Sequence, residues 1–143
     1  MSAPITTKRE KYSDPWYAKP GMVYFIGAGN PPVAVKIGVT HRSGIRSRLR
    51  GLQSSNHEPI KLMGVILFEE GPRPMRAAEE REQELHRQFA YLQRFERGWV
   101  GSEWFTCSDE LLSFIEHNSV PPEQLGIIAT VCKPNVVVRS SGA

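Results

Sequence analysis

Two runs rich in β-branched and aromatic residues, Met22-Val23-Tyr24-Phe25-Ile26 and Val33-Ala34-Val35-Lys36-Ile37-Gly38-Val39, flank the stretch Gly27-Ala28-Gly29-Asn30-Pro31-Pro32. Glycine supplies the unusual backbone angles of a tight reversal and proline ends strand pairing, so the chain is expected to double back as an antiparallel hairpin. That hairpin constrains the rest of the chain, which must cover its exposed edges and faces. The glycines there do not form a dinucleotide-binding signature, since they open a hairpin rather than a helix and the third glycine of that pattern is missing.

The spacing beyond the hairpin predicts a helix opened by Ser43 as N-cap, with Ile45, Leu49 and Leu52 on one side and a stop at Ser54-Ser55-Asn56. Ile60 to Phe68 reads as a third strand, closed by Gly71-Pro72-Arg73-Pro74. A long helix is predicted from about Met75 to Arg97, with Ala78, Leu85, Phe89 and Leu92 as its apolar side, until Gly98 and Gly101 break the pattern. Ser102-Glu103-Trp104-Phe105 reads as a short extended piece, with Trp104 and Phe105 in the core or covering one face of the sheet. Ser108-Asp109-Glu110 opens a last helix, with Leu111, Leu112 and Ile115 inward, and Pro121-Pro122 closes it. Strands and helices in this order do not alternate as a doubly wound parallel sheet requires. The expected class is α+β, a small central three-stranded antiparallel sheet flanked by helices. The β-rich stretches Ile127 to Val131 and Val136 to Val138 are expected to add an edge strand or to serve as a partner-binding tail.

A length of 143 residues, 40% of them hydrophobic, suits one compact domain and excludes a multidomain enzyme. The expected organisation is a polar arm over residues 1–20, ordered only through Trp16 and Tyr17, a domain over 21–118 and an extension over 119–143. A chain near this size buries about 68–70% of its unfolded surface, so neither Cys107 nor Cys132 is needed as a clip. Their isolation fits free thiols in a reducing compartment rather than a zinc or disulfide framework. With no secretory leader and no apolar stretch of membrane-spanning length, the protein is expected to be soluble and away from membranes, in the cytoplasm or on a nucleoid, or in the nucleus of a eukaryote.

Eighteen basic against fifteen acidic residues give a net charge of +3, a weak pull toward polyanions. Four arginines and no acid lie between His41 and Arg50, whereas Glu69 to Glu84 is crowded with carboxylates. A basic and an acidic element in one domain suit metal-assisted phosphodiester chemistry, although solvated helix faces look the same.

Tyr24, the run Lys36-Ile37-Gly38-Val39-Thr40, Arg48-Leu49 with Leu52-Gln53, Glu82 with Leu85-His86, and Glu103-Trp104-Phe105 together resemble the GIY-YIG nuclease superfamily. The Lys-Ile-Gly second half-motif is similar to its branch of phage and fungal meiosis-associated proteins. The resemblance covers about Gly21 to Ile115. It implies an endonuclease or nickase with its active site on one face of a three-stranded sheet, cutting DNA with one divalent metal, magnesium, for which manganese substitutes. Carried over residue by residue, Tyr24 matches the first half-motif's tyrosine, Lys36 stands where the second usually has tyrosine, Arg48 matches the helix arginine and Glu82 the metal-binding glutamate. Departures are Met22-Val23-Tyr24 for Gly-Ile-Tyr, the lysine itself, and Leu52 where a histidine often follows the arginine by one turn. The family's final amide residue has no assigned counterpart.

The residues themselves support a parallel reading. Phosphodiester hydrolysis needs an in-line water, a base, positive charge on the phosphate and help for the leaving oxygen. A phenol with a pKa of about 10 is a poor base unless a cation favours phenolate, so Tyr24 calls for Lys36 on the same sheet face, to lower its pKa or position the water. Arg46, Arg48 and Arg50 cannot share a helix face, so Arg48 is expected at the sheet as a phosphate clamp. Arg42, Arg46 and Arg50 are left to contact the DNA backbone. A hard cation is satisfied by one carboxylate, waters and substrate phosphate, which suits Glu82, and His86 shares its helix face. His86 is expected either near the metal or leaving group or as a structural histidine. Zinc is not expected at this pair, which lacks further ligands of matching spacing. Without a helix-turn-helix or zinc module, sequence specificity would come from a protein partner, a homodimer or the terminal arms. The alternative is a catalytically weak or inactive nucleic-acid-binding or protein-interaction module on the same scaffold.

Overall fold

A computed structural model describes residues 14–95 and 103–131. Helix α1 (Asp14–Tyr17) leads into β1 (Gly21–Gly29) and β2 (Pro32–His41), followed by α2 (Ile45–Ser54), β3 (Ile60–Phe68), α3 (Pro74–Gln88), β4 (Trp104–Thr106) and α4 (Asp109–Asn118). The strands form one antiparallel sheet in the order β3-β1-β2-β4. The class is therefore α+β, with one strand more than the sequence predicts: Trp104–Thr106 pairs with Ala34 to Lys36 and makes the sheet four-stranded.

Strand alternation divides the core. Met22, Tyr24, Ile26 and Ala28 of β1 meet Ile45 and Leu49 of α2, with Ile60, Leu62 and Val65 of β3 beside them. Val23, Phe25, Val35 and Ile37 face the other way, onto Ala78, Leu85 and Phe89 of the α3 segment and Leu111 and Ile115 of α4. Because β1 is central and covered on both faces, its apolar run is nearly continuous. The β1–β3 register shifts between Phe25 and Ile26, which is why Leu62 and Val65, three apart, reach the same core. Each large apolar side chain buried this way contributes about 1.5–3 kcal/mol.

Three expectations change. Ser43 does not cap α2: Arg42–Gly44 form a 3-10 turn, Gly44 takes the N-cap position, and the Ser43 hydroxyl sits 3.0 Å from His41 Nδ1. The long helix ends at Gln88, because Phe89 leaves helical geometry as it packs into the core and the chain turns at Ala90–Leu92. Arg97, Gly98 and Gly101 lie outside the described residues. Ile127 to Val131 is not a strand. It covers the outer edge of β3, where Leu62 N–H donates to Ala129 C=O at 2.8 Å and Val65 bridges Val120. Val136 to Val138 and Cys132 lie outside the described residues, and Cys107 is a free thiol.

The cap at Ser108 and the placing of Trp104 and Phe105 match the sequence reading. Ser108 caps α4, its Oγ accepting from Leu111 N–H at 3.1 Å. Phe105 is buried and Trp104 packs half-buried against the α2-side core. Tyr17 is buried under the Arg73 guanidinium, 4.8 Å from its ring centroid, while Arg73 pairs with Asp14 at 3.2 Å. Gln53 is buried and ties down the α2–β3 loop: its amide donates to Asn56 and Glu58 carbonyls, and its Oε1 accepts from Ile60 N–H at 2.9 Å. Among the described residues no helix is long and apolar enough to cross a membrane.

Candidate active site

Tyr24 pairs with Gly38 across the β1–β2 ladder, so both lie on the α2 face. The missing side chain at Gly38 is what the tyrosine uses. A Cβ there would collide with the Tyr24 hydroxyl and ring, and would sit 2.8 Å from its Cε1. The phenol therefore leans across β2. Lys36, opposite Ile26, has the same parity and shares the face, as expected. Strand β4 pairs with β2 only as far as Lys36. Beyond that point Ile37 N–H donates to the Glu103 carbonyl at 3.1 Å, and the Glu103 carboxylate forms an ion pair with the Lys36 ammonium.

Helix α3 approaches the same edge from the other face. Met75, Ala78, Leu85 and Phe89 are buried, and Glu82 falls between them at the same spacing, its side chain only 13% exposed. His86, one turn on, donates from Nε2 to the Ile37 carbonyl at 2.8 Å and sets its ring against Phe105. It lies 3.7 Å from Glu82 Oε2. His86 thus anchors α3 to the edge of β2 and stands behind Glu82.

Helix α2 supplies the opposite wall. Gly44, Ser47, Arg48, Gly51 and Leu52, a stripe along one side of the helix, join Lys36, Thr40 and His41 of β2 to line a groove of about 530 Å³. The structure therefore puts Lys36 and Arg48 in one groove. Arg46 and Arg50 are exposed but do not line it, and the Arg42 guanidinium is engaged by Glu69 in an ion pair. Leu52 is half-buried in the wall.

The electrostatics concentrate on Tyr24. Burial pushes its hydroxyl well above the ordinary phenol range; the Arg48 guanidinium pulls it down, and the Glu103 and Glu82 carboxylates push it up again. Arg48 is the cation that opposes burial, whereas the sequence points to Lys36. Burial wins, so the phenol stays protonated. In that form it can orient a water through its hydroxyl. His41 moves the other way: burial, Lys19 and Arg48 lower its pKa and favour the neutral imidazole.

Glu103, Thr40 and His41 are site residues that motif and helix-face reasoning missed. Glu103 and Thr40 lie inside quoted motifs but carry no spacing signal of their own, and His41 ends a strand. Glu82 carries a signal stronger than its motif: a carboxylate in the middle of the apolar series 75, 78, 85 and 89 has no packing reason to be there. Among the described residues no three His, Cys, Asp or Glu side chains cluster as a metal cage. A mostly buried carboxylate that keeps some exposure fits a hard cation that also takes substrate oxygens, and does not fit a closed zinc site.

This is a small antiparallel sheet with a tyrosine, two cations and two carboxylates gathered at the outer edge of its second strand. The T5orf172 domain family matches residues 21–119, and the chain belongs to that family. The domain occurs in phage and nuclease-associated proteins and is compatible with a nuclease-like or DNA-binding role, which makes DNA the partner it suggests. No curated protein and no solved structure matches the chain.

Proposed function

We propose that this chain is a metal-dependent DNA endonuclease or nickase of the GIY-YIG type that hydrolyses phosphodiester bonds in the groove between β2 and α2. The observation that carries it is the convergence on β2: Tyr24 leans across it at Gly38, Lys36 pairs with Glu103 and shares a groove with Arg48, and Glu82 lies 3.7 Å from the His86 that bonds to Ile37. Arg48 clamps the phosphate, its planar fork matching two oxygens; by analogy with removal of an oxyanion donor, its loss costs about 3–4 kcal/mol of transition-state stabilisation. Lys36, released from Glu103 as the phosphate arrives, adds a second positive charge. Tyr24 holds the attacking water through its hydroxyl. Glu82 would hold magnesium, or manganese in its place, and the bound ion supplies positive charge to the phosphate as negative charge builds on it. His86 keeps Glu82 in position by fixing α3 to Ile37.

The test is plasmid nicking by the purified protein in magnesium, in EDTA, and in the variant Glu82→Ala with its folding checked by circular dichroism. Cutting that requires magnesium and falls to background in Glu82→Ala is expected. Undiminished cutting in EDTA or in Glu82→Ala overturns the mechanism. A binding module without catalysis is the second reading, favoured by Leu52 in the groove wall where the superfamily often has histidine. Metal-independent DNA binding with no cleavage of duplex, nicked, branched or single-stranded substrates would decide for it.

A further inference from the structure

Lys36 and Arg48 line one groove, but they stand in it differently. Arg48 is exposed on α2 and, among the described residues, forms no ion pair. Lys36 is already occupied: its side chain is only 15% exposed, and its ammonium is paired with the Glu103 carboxylate. No other carboxylate among the described residues pairs with it.

The pair is held from the Glu103 side. The Glu103 carbonyl accepts from Ile37 N–H at 3.1 Å, and the next residue, Trp104, pairs with Lys36 across the β2–β4 ladder. Trp104 packs half-buried on the α2-side core, and its carbonyl accepts from Arg94 N–H at 3.0 Å. The backbone that carries Glu103 is thus fixed to β2, and its carboxylate is tethered beside the ammonium at an effective concentration that free small anions do not match. The two ends of the pair differ in exposure. Glu103 is 43% exposed and can turn to water, whereas the Lys36 side chain stays largely covered. An anion entering the groove therefore meets a lysine whose place is taken and a negative charge beside it. Like-charge repulsion opposes entry unless a second cation holds the anion.

Resting on the reading of this groove as the seat of DNA phosphates, we propose that Glu103 is a specificity-determining residue: its carboxylate stands in for a phosphate at Lys36 and yields only to a strand that Arg48 already holds. The open guanidinium takes the backbone first. Once the strand is seated, a phosphate replaces the carboxylate on Lys36, one anion for another with no covalent bond made or broken, and Glu103 turns to solvent. A polyanion that touches only Arg46 and Arg50, which are exposed but do not line the groove, leaves the pair closed.

The test is an anisotropy titration of a labelled duplex without divalent metal, at fixed salt, with thermal melts of every variant. Glu103→Gln and Glu103→Ala should both bind the duplex more tightly than wild type, by about 1.5- to 5-fold, the range of a partly exposed ion pair. Damage to the fold would weaken binding, so a gain is a result that a merely structural role does not produce. The gain should vanish when Lys36→Ala is added. With Glu103 intact, Lys36→Ala should cost less affinity in an Arg48→Ala background than in wild type, because the lysine then stays with its carboxylate. Affinity at or below wild type in both Glu103 variants, a gain that survives Lys36→Ala, or an equal cost of Lys36→Ala with and without Arg48 overturns the proposal. Plasmid nicking in magnesium separates it from the hydrolytic reading. Wild-type protein that shows this binding pattern and cuts nothing overturns hydrolysis alone, and cutting without the gain overturns the role of Glu103 alone. Duplex left unbound by wild type and by every variant overturns both.

Discussion

Gly38 and Tyr24 form one unit, in which a residue without a side chain lets a buried phenol cross its neighbouring strand. Gly38→Ala places a methyl group against the Tyr24 ring, which is itself buried and has nowhere to retreat. Overpacking of this kind costs about 1–3 kcal/mol, so urea denaturation should show a lowered midpoint, and the cost should shrink in a Tyr24→Ala background. Gly51→Ala is the contrast. It lies in α2 with nothing within 4 Å of its Cβ position, and helix propensity alone should leave it neutral or more stable by up to about 1 kcal/mol. Tyr24 also sets a pH dependence. Its folded pKa is raised above the unfolded value of 10.0, so its contribution to stability is complete below that pH and is lost as pH climbs above it, when only the unfolded chain gives up the proton. Unfolding free energies measured from pH 9 to 11.5 should fall more steeply for wild type than for Tyr24→Phe, by up to about 1.4 kcal/mol per pH unit. Equal slopes would mean that burial does not hold the proton.

At the scale of elements, the α2–β3 connection hangs on the Gln53 side chain. Truncating it strips a hydrogen-bond partner from Ile60 N–H at the buried start of β3, and frees the Asn56 and Glu58 carbonyls. Gln53→Ala should therefore cost about 1–3 kcal/mol in denaturant unfolding, more than Ser108→Ala, which loses one cap on α4 worth about 1 kcal/mol and leaves the groove untouched. Equal losses in the two variants would refute the clamp. The two serines show what a sequence can disclose about helix starts. Ser108 precedes acidic residues and an apolar series, and it caps. Ser43 has no acid after it, and its hydroxyl goes to His41. Strand β3 was legible to the residue because its apolar run is bounded by turn-formers on both sides. The end of α3 was not, since Phe89 and Leu92 continue the helical period while the backbone turns between them. Likewise, the shared face of Tyr24 and Lys36 follows from pairing parity alone. The Lys36–Glu103 pair joins residues 67 apart through an edge contact that no local pattern encodes.

Across the whole molecule, charge is sorted by where it faces rather than by how much there is. A net charge of +3 is small, yet Lys36 and Arg48 open onto one groove, and Glu79, Glu80 and Glu84 ride on α3, which packs on the opposite side of the sheet. Counting arginines along the sequence cannot separate these: Arg42 and Arg48 belong to the same basic run, but Arg42 is neutralised by Glu69 and Arg48 lines the groove. Salt dependence can. Each phosphate neutralised by a cation releases counterions and adds about 0.9 to the slope of log K against log salt for duplex DNA. The measurement is an anisotropy titration of a labelled duplex without divalent metal, from about 50 to about 300 mM KCl, which shortens the Debye length by roughly half. If phosphates sit in this groove, Arg48→Ala should give a slope shallower than wild type by about 0.9. Arg42→Ala should leave the slope nearly unchanged, because that guanidinium already has its anion and binding DNA would exchange one for another. Arg48→Ala with the full wild-type slope, or Arg42→Ala with the larger loss, would move the DNA path off the groove and onto the outer face of α2.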